Sequence, residues 1–91
     1  MKIDLNVPVK DLNGDNILDI TIGKQLANAL VGANKGDALK FYDWAVKLHK
    51  GEAIEVDKSD LKKITEFVEN NEQFTILFKA QALEVLSTVK E

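Results

Sequence analysis

The chain has 91 residues, which is one domain of modest size with a thin core. Hydrophobic residues make up 45% and charged residues 30%, ordinary globular usage, and no uncharged apolar run is long enough to span a bilayer. Cysteine is absent, which excludes disulfides, thiolate catalysis and Cys-ligated zinc, and the net charge is −3 with lysine at all 12 Lys and Arg positions.

Without arginine the chain lacks the forked donor suited to phosphates and guanine edges, so nucleic acid is a poor fit as a partner. The opening Met1-Lys2-Ile3-Asp4 has no apolar signal-peptide segment, and the lack of cysteine fits a reducing cytosol.

In chain order, Ile3, Leu5, Val7 and Val9 alternate with polar residues and Pro8, the period of a half-buried strand. Pro8 cannot donate to a ladder, so the strand belongs at an edge or Pro8 faces outward. Asp11 to Asn16 is turn chemistry, with Asn13-Gly14 its strongest signal. Ile17 to Ile20 reads as a second strand. The expectation is an antiparallel hairpin of Ile3–Val9 against Ile17–Ile20, needing helices on its apolar face.

Thr21 is a fitting N-cap for a helix from about Ile22 to Val31, and residues 32–36 read as a loop. The next stretch, Asp37 to Gly51, holds the only Trp, Tyr and His. On a helical wheel its polar residues fall on one narrow stripe of Lys40, Asp43, Lys47 and Lys50. So thin a wet stripe predicts a central helix covered on most sides, with Phe41, Ala45 and Leu48 nearly fully buried and the lysines exposed. Asp37 caps its positive end, and Lys47, His49 and Lys50 suit its negative end. Gly51 terminates it. Glu52 to Val56 is extended, either a linker anchored by Ile54 and Val56 or a third short strand.

Asp57 reads as the next N-cap, with Asp60 three positions on as half of a capping box. Leu61, Ile64, Thr65 and Val68 form the inner face of that helix, Phe67 lies beside them, and Asn70-Asn71 ends it. The last helix is expected from about Glu72 to Val89. Phe74, Leu77, Phe78, Ala82, Val85 and Val89 share one side, and Ile76, Ala80 and Leu83 lie nearly opposite. A helix apolar on two sides puts one in its own core and the other on a neighbour.

Several strings resemble a group of small proteins encoded by tailed bacteriophages and prophages. They are Thr21-Ile22-Gly23-Lys24-Gln25-Leu26-Ala27-Asn28-Ala29-Leu30, then Lys40-Phe41-Tyr42-Asp43-Trp44-Ala45-Val46-Lys47-Leu48, then Glu55-Val56-Asp57 with Asp60-Leu61, and Lys79-Ala80-Gln81-Ala82-Leu83-Glu84-Val85-Leu86. The resemblance implies a phage or prophage origin and expression in the host cytoplasm. The group has no established activity, so it implies no site residues.

Four features invite a functional reading. Asp11, Asn13, Asp15 and Asp19 have the oxygen spacing of the start of a calcium loop, but its sixth and twelfth positions hold Asn16 and Ile22 instead of Gly and Glu. A hairpin turn explains the same residues, so no metal is expected. His49, alone of its kind, reads as partly buried and bonded to a terminal carbonyl; without a partner by spacing it does not mark a catalytic site. Lys58, Lys62 and Lys63 sit among Asp57, Asp60, Glu66 and Glu69, a solvated face more than a phosphate track. Trp44 is either core or an exposed interface anchor.

The expected fold is α+β: a single domain over residues 1–91, with a hairpin over 1–20 followed by about four helices over 22–91. The expected function is a non-enzymatic phage accessory protein without cofactors, acting through self-association and contact with a host or virion protein. Interface candidates are Trp44, Phe74, Ile76, Ala80 and Leu83. The alternative is a binder of nucleic acid or a small signalling nucleotide at an oligomer interface.

Overall fold

The computed structural model describes residues 1–34 and 36–89, and of residues 18 and 19 the backbone alone. Four strands and four helices follow one another among them. They are β1 (Lys2–Ile3), β2 (Pro8–Lys10), β3 (Asn16–Thr21), α1 (Ile22–Gly32), α2 (Ala38–His49), β4 (Ile54–Glu55), α3 (Lys58–Asn70) and α4 (Ile76–Ser87). The architecture is α+β and mostly helical, with the strands in two two-stranded sheets.

The expected hairpin exists as β2 against β3, antiparallel, with Pro8 opposite Thr21 and Lys10 opposite Asn16. Three residues of β2 face six of β3, so the register shifts between Pro8 and Lys10. The turn is held by Asp11. Its carboxylate accepts from the backbone N–H of Asn13 at 2.9 Å and of Asp15 at 3.1 Å, while its carbonyl accepts from Gly14 at 3.0 Å. Gly14 has φ +86°, which glycine adopts without strain. The calcium-like spacing is therefore used for turn bonds; the side chain of Asp19 lies outside the described residues.

The first predicted strand does not pair as one piece. Lys2–Ile3 leaves the hairpin and pairs with β4, Lys2 opposite Glu55 and Ile3 opposite Ile54. That makes Glu52 to Val56 the site of a third strand rather than a linker. The cause lies in the helix that follows. The first N–H groups of a helix have no partner inside it. Here Ile22 donates to the Val7 carbonyl at 2.9 Å and Gly23 to the Leu5 carbonyl at 2.8 Å. Those two carbonyls are thus taken by α1. The alternating burial survives, because Ile3, Leu5 and Val9 are all in the core.

Thr21 caps α1 by accepting from the Lys24 N–H at 3.1 Å. Ile22, Leu26, Ala27 and Leu30 are its buried face, and α2 packs along it. Asp37 caps α2, accepting from Lys40 at 3.2 Å. Gly51, at φ +81°, turns the chain out of α2 in the left-handed conformation and donates to the Leu48 carbonyl at 3.1 Å.

Only one side of α2 is covered. Trp44, Ala45 and Leu48 are buried, Phe41 is half-buried, and Leu39, Tyr42 and His49 are exposed. This corrects the expectation of a helix covered on most sides and of a fully buried Phe41. It also corrects one of the lysines. Lys40 and Lys50 are exposed as expected, but Lys47 is half-buried in an ion pair with Asp43 at 3.2 Å. The ammonium of Lys40 reaches across to α3. Five rings carry the core onward, Trp44 stacked on Phe41 at 5.8 Å, Phe41 edge-on to Phe67 at 5.6 Å, then Phe74 and Phe78.

Asp57 and Asp60 form a complete capping box at the start of α3, whose Ile64 and Val68 are buried. The last helix begins later than Glu72. Thr75 is its cap, accepting from Phe78 at 3.1 Å, because the Asn71 side chain accepts from Gln73 at 2.8 Å and holds the preceding residues in a turn. Its two sides fall only partly as expected: Phe78 and Ala82 are buried and Ile76 and Ala80 face outward, but Phe74 precedes the helix, Leu83 is half-buried against the core instead of outward, and Leu86, which the wheel reading places on neither side, is buried. Gln81 ties α4 to the hairpin. Its side-chain oxygen accepts from Lys10 N–H at 2.9 Å, and its amide donates to the Lys10 carbonyl at 2.7 Å, so it occupies the edge of β2 as a neighbouring strand would.

Candidate interaction surfaces

The polar chemistry of the molecule is mostly structural. Asp60 is buried at 8% exposure, and Lys40 Nζ donates to its Oδ1 at 2.7 Å. Its carboxylate also accepts from Asp57 N–H at 3.4 Å. The hydrogen bond from Lys40 holds the Asp60 carboxyl below the usual carboxylate range, against the opposing effect of burial. The same bond raises Lys40 above the usual lysine value. A carboxylate so engaged serves as a helix cap and a tether between α2 and α3, not as a proton carrier.

His49 is exposed, not partly buried as expected. It lines a groove of about 240 Å³ with Ala27, Asn28 and Val31 of α1 and Ala45, Val46 and Lys50 at the end of α2. Among the described residues no group of three His, Asp or Glu side chains is arranged to hold a metal ion. A second groove sets Phe41 and Phe67 beside Lys63, as a base-stacking site would, but Asp37 and Glu66 flank it and oppose a phosphate. Lys58, Lys62 and Lys63 are exposed along α3.

The candidate interface residues separate. Trp44, at 4% exposure, is core, which settles its two alternatives in favour of packing. Phe74 is half-buried between Phe67 and Phe78, and Leu83 is half-buried as well. Ile76, at 85% exposure, and Ala80 stand outward together on α4.

A larger apolar face lies elsewhere. Val31, Leu39 and Tyr42 are exposed at the α1–α2 corner, to 58%, 85% and 65%. On the wheel of α2, Leu39 and Tyr42 share an arc with Ala38, half-buried Val46 and His49. The signal is present in the sequence. The apolar arc of α2 is wider than one core contact needs, and a wheel alone turns all of it inward.

Comparison with protein-family models, curated proteins and solved structures found no match to this chain. Among the described residues no helix is long and apolar enough to cross a membrane.

Proposed function

We propose that this is a non-enzymatic phage accessory protein that works in the host cytoplasm through protein–protein contacts, first with itself and then with a host or virion protein. One observation carries the reading: large apolar side chains stand in solvent on the outer faces of two helices, Leu39 and Tyr42 on α2 and Ile76 on α4. Single exposed apolar residues are ordinary, but a contiguous apolar face rimmed by charge marks an interaction site. Charge borders the α2 face along one side, in Asp43, Lys47 and Lys50. The resemblance of the helical strings to phage-encoded proteins supports the origin, and the engagement of Asp60 and Asp11 in structural bonds supports a role without catalysis.

Light scattering on the purified chain across micromolar concentrations tests self-association. An oligomeric mass is expected. A monomer over the whole range refutes it.

A further inference from the structure

The tip of the β2–β3 hairpin holds a pair of residues with a chemistry of its own. Asn13 is the only asparagine of the chain followed by glycine. An asparagine amide is open to attack by the backbone nitrogen of the next residue, and glycine has no Cβ to hinder the approach. Asn13 and Gly14 are both exposed, and a Cβ built on Gly14 would meet nothing within 4 Å. Packing does not shield the pair; hydrogen bonds do.

The nitrogen that would attack is engaged. Gly14 N–H donates to the Asp11 carbonyl at 3.0 Å, and Asp11 N–H donates to the Asp15 carbonyl at 2.9 Å. The Asp11 carboxylate holds the backbone on both sides of Gly14, accepting from Asn13 N–H at 2.9 Å and from Asp15 N–H at 3.1 Å. To react, the Gly14 nitrogen must give up its bond, lose its proton and reach Cγ of Asn13. An N–H bonded in this way, beside a fixed carboxylate, gives up its proton less readily than one in water. The restraint is local, and a two-stranded hairpin opens at modest cost.

We infer that Asn13 is a site of spontaneous deamidation and that opening of the hairpin turn controls its rate. Once freed, the Gly14 nitrogen gives its proton to a solvent base and bonds to Asn13 Cγ. The bond from Cγ to the side-chain nitrogen breaks, and that nitrogen takes up a proton and leaves as ammonia. Water then opens the five-membered imide at either of its carbonyls. One opening gives aspartate; the other gives isoaspartate, in which the main chain runs through the former side chain. The net change is amide plus water to carboxylic acid plus ammonia. Isoaspartate lengthens the main chain by one carbon between the Asp11 carbonyl and the Gly14 N–H, so the turn cannot close as before. Either product adds a carboxylate beside Asp11 and Asp15, where like charges repel. The step therefore runs one way: a turn that opens long enough to react closes less well afterwards. The inference is independent of whether the chain self-associates.

Peptide mapping by mass spectrometry, with isoaspartyl methyltransferase labelling, tests it on the chain incubated at mildly alkaline pH, native and in guanidinium chloride. In denaturant Asn13 is expected to react fastest of the asparagines. In the native chain it should react at least about tenfold more slowly, the factor set by an opening free energy of about 1.4 kcal/mol. Asp11→Ala removes both carboxylate bonds and should raise the native rate several-fold toward the denatured one. Asp11→Asn keeps an acceptor oxygen and should keep most of the protection. Circular dichroism confirms that the variants fold. No reaction at Asn13 in denaturant overturns the site. Equal rates in native and denatured wild type overturn control by the turn, whatever the variants do, and so does a native rate that a folded Asp11→Ala leaves unmoved.

Discussion

Gly23→Ala sets helix propensity against packing at one atom. Gly23 sits in the first turn of α1, where the hairpin segment and the end of α2 both press on it. An added Cβ would lie 3.1 Å from the Leu5 carbonyl oxygen and 3.4 Å from that of Leu48. Both neighbours are backbone and cannot rotate away. Moving Leu5 also strains the 2.8 Å bond from Gly23 N–H to its carbonyl. Alanine gains about 1 kcal/mol over glycine within a helix, but overpacking a tight site costs about 1–3 kcal/mol. The net expectation is a loss of about 1 kcal/mol, which for a domain of this size lowers Tm by about 4–8 °C. Gly32 is the internal control. It is the last residue of the same helix, and a Cβ added there would meet nothing within 4 Å. Gly32→Ala should therefore stabilise, by about 0.5–1 kcal/mol. Urea unfolding followed by fluorescence of Trp44, the only tryptophan, reads both variants. Equal stabilisation by the two would refute the close approach of α1 to Leu5.

The Lys40–Asp60 pair predicts a pH dependence with two edges. Asp60 titrates lower when folded, so its contribution is present above about pH 4, the unfolded value, and is lost as pH falls through the folded one. Lys40 titrates higher when folded, so its contribution is present below about pH 10.4 and is lost as pH rises past that. Asp60→Asn should flatten the acid edge of the urea midpoint against pH; an unchanged acid slope would show that the pair does not form. Phe41→Ala, removing a half-buried ring packed on Trp44 and Phe67, should cost about 2–3 kcal/mol, less than the roughly 3–5 of a fully buried phenylalanine. A loss well under 1 kcal/mol in urea unfolding would mean that α2 is peripheral. Gln81→Ala removes two bonds to Lys10 and should cost about 1–2 kcal/mol. It should also speed hydrogen exchange at the Lys10 amide, and unchanged exchange there would count against the edge contact.

Local rules carry most of the helical fold. Thr21, Asp37 and Asp57 are legible as caps because each needs only a side chain and the N–H three residues on. Partnerships across the chain are not. Period-two alternation in Ile3 to Val9 reports which side chains are buried, and it is silent on whether a carbonyl bonds to a strand or to a helix end. Lys40 reads as plain solvent-facing polarity, since nothing local names Asp60, 20 positions on, as its partner. The candidate surface escapes the sequence for a related reason. The wheel of α2 counts apolar residues but does not separate the arc a monomer buries from the arc it leaves bare.

The pairing of β1 with β4 also orders events in time. Met1 N–H donates to the Val56 carbonyl from 55 positions away, so this short sheet closes a loop that contains the hairpin, α1 and α2. Closing some 50 residues costs about 2 kcal/mol more chain entropy than closing a turn of five. The hairpin turn and the α1–α2 contact join nearer neighbours and are expected to form first, with β1 locking to β4 late. A lock that forms last is expected to open before the helices do, exposing Ile3 and Ile54. Native-state hydrogen exchange reads that order directly: protection at Val56 should fall well below that of α1, and equal protection would mean that the sheet and the helices open as one unit.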